Sequence, residues 1–225
     1  WVAEFEQLQS GGPTVDFEQL RPEVVRALGG APEEVFATFD TQPLAAASIA
    51  QVHRAVLHDG TQVVVKIRRP GIRPKVEADL RLMNELARKA EQSSAEIARY
   101  RPRALIKQLS EAMLEELDFT SEGRNCDRFA ADFARNDAVV IPAIYWEHTT
   151  DSVLVQDYLE GVPPTDAARL NAAGIDPHAL AKVGAHAVLD MVLVNGRFHA
   201  DPHPGNLRVT DDGTALISDF GISHA

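Results

Sequence analysis

The feature that most constrains this chain is a pair of polar motifs near its C-terminal end. The first has the form H-x-D-x-x-x-x-N and runs from His199 to Asn206, and the second is the tripeptide D-F-G that begins at Asp219. When a phosphoryl group leaves a nucleotide, one Asp orients or deprotonates the acceptor hydroxyl, while an Asn and a second Asp hold magnesium on the phosphates. Asp201, Asn206 and Asp219 have the spacing for these three roles, so we expect a fold that holds a nucleotide.

The stretch between the two motifs predicts a hairpin. Residues 207–209 and 214–218 are β-rich runs, and the Asp-Asp-Gly sequence at 211–213 is typical of a tight turn. Such a hairpin would return the chain from Asn206 to Asp219, so that both side chains can share a metal site. Magnesium prefers oxygen ligands and keeps phosphates and water in its shell, which these residues and ATP would provide.

A zinc site is the competing interpretation of the same loop. His199 and His203 have the spacing with which two ligands share one face of a zinc-binding helix. Pro202 and Pro204 oppose a regular helix here, because proline removes a backbone donor and crowds the preceding residue. We therefore expect the two histidines to support the loop by hydrogen bonding.

An upstream lysine has the context of a phosphate-binding residue. Asp59-Gly60 separates two β-rich runs, which is a strong hairpin signal, and the second run contains V-V-V-K ending at Lys66. In protein kinases, a strand with the sequence V-A-I-K presents its Lys to the phosphates and to a Glu on a helix. Lys66 fits that role, although a lysine after three valines is also an ordinary residue of an edge strand.

The segment before that strand has alanines where a protein kinase has a glycine-rich loop. The sequence P-L-A-A-A-S-I-A-Q-V-H at 43–53 resembles the alanine-rich loop of the UbiB family of atypical kinases, the AarF/ADCK-type proteins. The resemblance continues in E-L-D-F-T-S-E-G-R-N at 116–125, which is similar to the family's E-x-D element and the helix Glu after it. It closes with 198–206 and 219–221, so four blocks follow the family's order.

This resemblance implies an ATP and magnesium site in which five residues have defined roles. Lys66 would contact the phosphates, and Glu122 would hold Lys66, because a buried lysine needs a counter-charge. Asp201 would act as base or orienter. Asn206 and Asp219 would carry the metal.

Other parts of the nucleotide site are expected around these residues. Backbone groups near Asp157 and Leu159 would meet adenine, although a plain exit from a strand predicts the same residues. Glu116 and Asp118 belong to the E-x-D signature, and whether they touch nucleotide, metal or another segment stays open. The residues expected to cover the nucleotide are Ala45, Ala46, Ala47 and Ser48.

The predicted fold is α+β, a protein-kinase-like pair of lobes with extra N-lobe helices. We expect residues 1–157 to form the N-lobe with the alanine-rich loop and inserted helices, and 158–225 a partial C-lobe. The start on Trp1 and the stop soon after Gly221 lead us to expect truncation at both ends, with loss of the family's K-x-G-Q signature. Helices are predicted at 17–29, at 76–100, from about 103 to beyond 118, at 164–173 and at 176–195, and strands at 139–142 and 152–156.

Apolar periodicity predicts which helix faces are buried. In the first helix, Val25 is expected to face inward, and Pro22 offers an alternative start within the predicted 17–29. The inward positions of the two long helices are predicted to include Leu80, Met83, Leu86 or alternatively Ala87, Leu105, Leu109, Met113 and Leu117.

A basic run follows Lys66. It consists of Arg68, Arg69, Arg73 and Lys75 around two prolines. The simplest interpretation is a solvated loop that leads into a helix. The alternative is a site for anionic lipid headgroups or phosphates.

Composition restricts the partners and the compartment. The formal net charge of −11 argues against nucleic acid as a partner, since phosphate backbones attract basic surfaces. The single cysteine, Cys126, allows no internal disulfide, and the sequence contains no signal peptide and no membrane span, so a cytoplasmic setting is expected. The resemblance adds a role in ubiquinone or related isoprenoid-lipid metabolism and contact with a membrane surface, and leaves the oligomeric state open.

Two other functions remain open. One is a small-molecule kinase of the aminoglycoside or choline kinase type, which also uses an H-x-D-x-x-x-x-N loop; the alanine-rich block and the E-x-D element disfavour it. The other is a nucleotide-binding scaffold without turnover.

Overall fold

Groups of consecutive strands and groups of consecutive helices follow one another along the chain. The computed structural model describes residues 13–200, 204–218 and 223–224. The helices are α1 (Phe17–Leu28), α2 (Pro32–Val35), α3 (Ile72–Ser93), α4 (Ala95–Arg99), α5 (Pro102–Glu116), α6 (Phe119–Phe133), α7 (Ala167–Ala172) and α8 (Pro177–Leu189). The strands are β1 (Thr38–Ala46), β2 (Ala50–Val56), β3 (Gln62–Arg68), β4 (Val139–Val140), β5 (Val153–Asp157), β6 (Phe198–His199), β7 (Leu207–Val209), β8 (Ala215–Ile217) and β9 (Ser223–His224).

One half of the structure is built on a four-stranded antiparallel sheet with the order β1-β2-β3-β5. The turn between β2 and β3 falls at the predicted Asp59-Gly60, where Gly60 has φ 91°. Helix α1 packs against this sheet through Leu20 and Val24, which are fully buried with Val63, Val65 and Ile67.

The helix predicted at 17–29 is present as α1, and the alternative start at Pro22 is not adopted. The helix begins at Phe17, because the Asp16 carboxylate accepts a hydrogen bond from the Glu18 N–H at 2.9 Å and caps the first turn. The inward position expected for Val25 is wrong. Val25 is 40% exposed, because the sheet contacts only the side of the helix that carries Leu20 and Val24.

The inserted helices differ from their predicted form. The stretch predicted as one helix breaks at Ser94, whose hydroxyl caps α4 by accepting from the Glu96 and Ile97 N–H groups. Helix α3 packs against α5. The predicted inward positions Leu80 and Leu117 are buried, and so is Ala87, the alternative to Leu86. The other predicted positions are exposed, namely Met83, Leu86, Leu105, Leu109 and Met113. Periodicity identified an apolar face correctly, but two packed helices cover only part of it.

Helix α6 connects the two halves of the structure. At its start, Phe119 packs with Ala50 and Leu154 of the four-stranded sheet. Further along, its residues Phe129 and Phe133 pack with α8 and with a second sheet, in a cluster that also contains Val139, Ala187, Met191 and Ile217. That sheet has the order β4-β8-β7 and contains the hairpin predicted between the two C-terminal motifs.

The α+β class predicted from the sequence is confirmed. Within the described ranges, no helix is both long and apolar enough to cross a bilayer.

Candidate active site

A buried ion pair joins the centre of the sheet to α6. The Lys66 Nζ on β3 donates to both carboxylate oxygens of Glu122 on α6, at 2.8 and 3.0 Å. The side chains are only 14% and 7% exposed, and the Lys66 ammonium lies 5.2 Å from the centre of the Phe119 ring. Two charges removed from water in this way need a close partner, which each supplies to the other. The structure thus brings together the predicted lysine and glutamate, although they are 56 positions apart.

The E-x-D element shapes the start of the helix that carries Glu122. The Asp118 carboxylate caps α6 by accepting from the Thr120 N–H at 3.0 Å and from the Thr120 hydroxyl at 2.7 Å. A carboxylate at this position satisfies a free backbone donor and favours the helix dipole. Asp118 therefore helps to set where α6 begins and, one turn later, where Glu122 lies.

Arg68 also stabilises the region where α6 begins. Its buried guanidinium donates to the Leu117 carbonyl at 2.6 Å, to the Asp151 carbonyl at 2.9 Å and to the Asp151 carboxylate at 3.1 Å. The Phe119 N–H also donates to the Asp151 carbonyl, at 3.1 Å. Arg68 is thus neither solvated nor available to a lipid headgroup, and both interpretations of the basic run are wrong for this residue.

The other basic residues of the run differ from Arg68. Arg73 pairs with Glu77 on the next turn of α3 at 3.1 Å, and Lys75 is exposed, as expected for a solvated helix start. Arg69 binds the alanine-rich loop, since its Nε donates to the Ala47 carbonyl at 2.9 Å.

The alanine-rich loop lies at the turn between β1 and β2. Ala45 and Ala46 end β1, and the chain turns at Ala47 and Ser48, where the Ala47 N–H donates to the Ala50 carbonyl at 2.9 Å. Ala47 and Ser48 are exposed. Because β2 and β3 are adjacent strands, this turn occupies the place that the glycine-rich loop has in a protein kinase, ahead of the lysine strand.

The end of β5 is fixed by Asp157. Its carboxylate accepts from the Tyr145 hydroxyl at 2.8 Å and from the Ala143 N–H at 2.9 Å, and its own N–H donates to the Ala143 carbonyl. Burial, with the hydrogen bond to Asp157, raises the pKa of Tyr145 to about 12. The side chain and N–H of Asp157 are thus engaged within the protein.

The catalytic-loop prediction is only partly within the described residues. Asp201, His203 and Asp219 lie outside them. Asn206 ends a 3-10 turn, and its carbonyl accepts from the Ser218 N–H at 3.0 Å. His199 is buried on strand β6, with its Nε2 3.1 Å from the Ser218 carbonyl. Ser218 thus links the two motifs, and the extended backbone at His199 lacks the helix face that a zinc pair would need.

An anchor that sequence reasoning missed precedes this loop. The Arg197 guanidinium forms a bidentate contact with the Asp132 carboxylate on α6, with distances from 2.6 to 3.1 Å. Planar, two-point pairs of this kind fix orientation as well as distance. The same helix therefore holds Glu122 against the sheet and Arg197 at the approach to the catalytic loop. Only the opposite charges of these distant residues could have hinted at their contact.

Comparison with known proteins gives a consistent assignment. The sequence profile described as "ABC1 atypical kinase-like domain" matches residues 7–225. "Protein ACTIVITY OF BC1 COMPLEX KINASE 7, chloroplastic" of Arabidopsis thaliana is 36% identical, over 99% of this chain and 32% of the relative. "Probable protein kinase UbiB" of Xylella fastidiosa is also 36% identical, over 97% of this chain and 41% of the relative.

A solved structure has the same fold. The Mycobacterium tuberculosis protein Rv3197, determined as a complex with erythromycin, matches 99% of this chain and 55% of its own, with a TM-score of 0.75 at 27% identity. This likeness and the family match confirm the predicted kinase-like fold. The chain spans about two fifths or less of the length of the two curated relatives described above.

Proposed function

Since the chain belongs to the ABC1 atypical kinase-like family, as its resemblance to UbiB proteins predicted, we propose that it binds ATP with magnesium and cleaves the terminal phosphoryl bond. The observation that carries the proposal is the buried contact of Lys66 with Glu122. A purely structural role is a poor explanation of this ion pair, because apolar residues of the same volume would often stabilise the fold equally well or better. A lysine held in place and partly accessible is suited to contact nucleotide phosphates.

The chemistry of the donor set fits a magnesium nucleotide. The Asn206 amide and the Asp219 carboxylate would supply the hard oxygen ligands that magnesium prefers. When bound, magnesium would neutralise the charge that develops on the phosphates. Across the described residues, no group of three His, Cys, Asp or Glu side chains forms a separate metal cluster.

The protein's own residues would divide the work of the reaction. Lys66 would bind the phosphates, and Glu122 would keep the ammonium in position. Asp201 would orient the acceptor hydroxyl or water and take its proton. The alanine-rich loop at Ala45–Ser48 would cover the phosphates and exclude bulk water, and backbone groups around Leu159 would meet adenine.

ATP turnover with a matched pair of variants tests this proposal. Asp219→Asn removes the proposed metal-binding carboxylate, whereas Asp211→Asn removes an exposed carboxylate in the turn of the same hairpin. We expect phosphate release by the parent in ATP and magnesium, its loss in Asp219→Asn, and its retention in Asp211→Asn. Binding without turnover in the parent would favour the scaffold function. Equal turnover in Asp219→Asn would contradict the proposed metal role.

We extend the proposal to ubiquinone or related isoprenoid-lipid metabolism at a membrane surface, which is supported by the resemblance to UbiB proteins. Cells that lack the full-length protein should lose quinone content. The full-length parent should restore it, and Lys66→Ala should not. Normal quinone levels in the deleted strain would contradict this extension and leave the ATP proposal intact.

A further inference from the structure

The alanine-rich loop is held through its carbonyl groups by a single residue. The backbone N–H of Arg69 donates to the Ile49 carbonyl at 2.8 Å, and the Arg69 Nε donates to the Ala47 carbonyl at 2.9 Å. The loop's own turn is closed by the Ala47 N–H, which donates to the Ala50 carbonyl at 2.9 Å. Two of the loop's carbonyls are therefore fixed by Arg69, one by its backbone and one by its side chain.

The hydrogen bond to the Ala47 carbonyl determines the direction of the next peptide N–H, which is that of Ser48. In a trans peptide, the carbonyl of one residue and the N–H of the next point in opposite directions. Because the Ala47 carbonyl points to the Arg69 guanidinium, the Ser48 N–H points away from it. Within the part of the chain that the structure describes, the Ser48 and Ile49 N–H groups donate to no protein acceptor. Backbone N–H groups that donate to no protein acceptor are donors that an anion can use.

A third hydrogen bond from Arg69 reaches the segment before α1. The Arg69 Nη2 donates to the Pro13 carbonyl at 2.7 Å. Two residues later, Val15 exchanges hydrogen bonds with the buried side chain of Gln51 on β2, at 2.7 and 3.0 Å. Arg69 thus joins three segments: the loop, the end of β3 and the strap at residues 13–15. A lysine could not replace it fully, because only a planar guanidinium directs several fixed donors at separate carbonyls.

We propose that Arg69 is a positioning residue for nucleotide binding, which holds the alanine-rich loop so that the Ser48 and Ile49 N–H groups remain available to the phosphates. Arg69 itself touches neither the nucleotide nor the metal. It acts through the Ala47 carbonyl, and the strap at Pro13 restrains the guanidinium. This inference rests on the proposed ATP site.

The test combines loop dynamics with nucleotide affinity, so that the two proposals can fail separately. Amide hydrogen exchange of the Ala47 N–H, which closes the loop's turn on the Ala50 carbonyl, is measured without nucleotide, and the Kd for ATP with magnesium is measured by calorimetry. The variants are Arg69→Ala, Arg69→Lys and, as a matched control, Arg88→Ala. Arg88 is another arginine on the surface, and it pairs with Glu85 on the same helix, α3, at 2.7 Å.

Arg69→Ala should speed exchange in the loop and raise the Kd roughly tenfold, the scale of one charge-assisted hydrogen bond. Arg69→Lys should recover part of both losses, and Arg88→Ala should match the parent. If Arg69→Ala does not fold, Arg69→Lys alone decides the question. Faster loop exchange and a higher Kd than the parent would support the inference, and parental values of both would overturn it.

Unchanged loop exchange in Arg69→Ala would overturn the positioning role even if ATP binds. An unchanged Kd in Arg69→Ala, with tight binding by the parent, would overturn it as well. Absence of ATP binding by the parent would instead refute the proposed function, and the exchange data would still decide whether Arg69 holds the loop.

Discussion

Removing the Glu122 carboxylate should destabilise the fold far more than removing a surface carboxylate. In Glu122→Ala, the Lys66 ammonium keeps its place in a site where it is 14% exposed and loses the two contacts of 2.8 and 3.0 Å. Removal of one partner from a buried pair costs about 3–5 kcal/mol. We expect about 3 kcal/mol here, the lower end, because Lys66 retains some access to water.

Replacing both partners separates the charge effect from packing. The double variant Lys66→Met with Glu122→Leu removes both charges and retains most of the volume. Such replacements are often neutral or stabilising, so its free energy of unfolding should lie within about 1 kcal/mol of the parent. Glu111→Ala is the surface control, because Glu111 and its partner Lys107 are 66% and 77% exposed and should contribute little.

Urea unfolding followed by tryptophan fluorescence measures these differences. Trp146 is a suitable probe, because its indole N–H donates to Asp127 on α6 at 2.8 Å and its ring lies against Gly123 on the same helix. The reasoning would be refuted by a Glu122→Ala cost as small as that of Glu111→Ala. It would also be refuted if the double variant were as unstable as Glu122→Ala.

Three further predictions concern other parts of the fold. Burial lowers the pKa of His53 below its ordinary 6.5, so the unfolded chain binds more protons than the folded chain at low pH. The free energy of unfolding should therefore fall as the pH drops below about 6.5. Urea midpoints measured from about pH 7.5 to 5.5 should show this decrease, and His53→Phe should reduce it. Gly161→Ala should lower the free energy of unfolding, measured by thermal denaturation, by about 1–3 kcal/mol, because the new Cβ would lie 2.8 Å from the Val209 carbonyl oxygen. The control is Gly184→Ala in α8, whose new Cβ would meet no atom within 4 Å and should not destabilise the protein. Equal effects of the two substitutions would contradict the close approach at Gly161. Burial, together with the nearby Glu122 carboxylate, raises the pKa of the Cys126 thiol. A thiol reagent at about pH 8 should therefore react with Cys126 only when urea unfolds the protein. Rapid labelling of the native protein would contradict this prediction.

Local chemistry predicted much of the sheet structure. The turns at Asp59-Gly60 and at 211–213 were identified because Asp-Gly sequences suit a tight reversal, and both hairpins are present. The match of Lys66 to Glu122 came from the family resemblance and not from periodicity, since no spacing rule links positions so far apart. The helix break at Ser94 was missed, because capping by a hydroxyl competes with an apolar pattern that continues through it.

The tertiary roles of charged residues could not be predicted. Arg68 was interpreted as part of a basic surface run, yet its partners are the carbonyls of Leu117 and Asp151, which any residue could provide. Asp132 and Arg197 are 65 positions apart and meet only because α6 spans both halves of the fold. The exposed side of α3 and α5 was missed for a related reason: a periodic pattern identifies an apolar face, but not what covers it.

The central claim is that Lys66 forms part of an ATP site, and calorimetric titration with ATP and magnesium tests it most directly. The parent is compared with the double variant Lys66→Met with Glu122→Leu, in which the expected stability is preserved. We predict saturable, magnesium-dependent binding of one ATP by the parent and at least tenfold weaker binding by the variant. Equal affinities in the two proteins, or no binding by the parent at millimolar ATP, would contradict the claim.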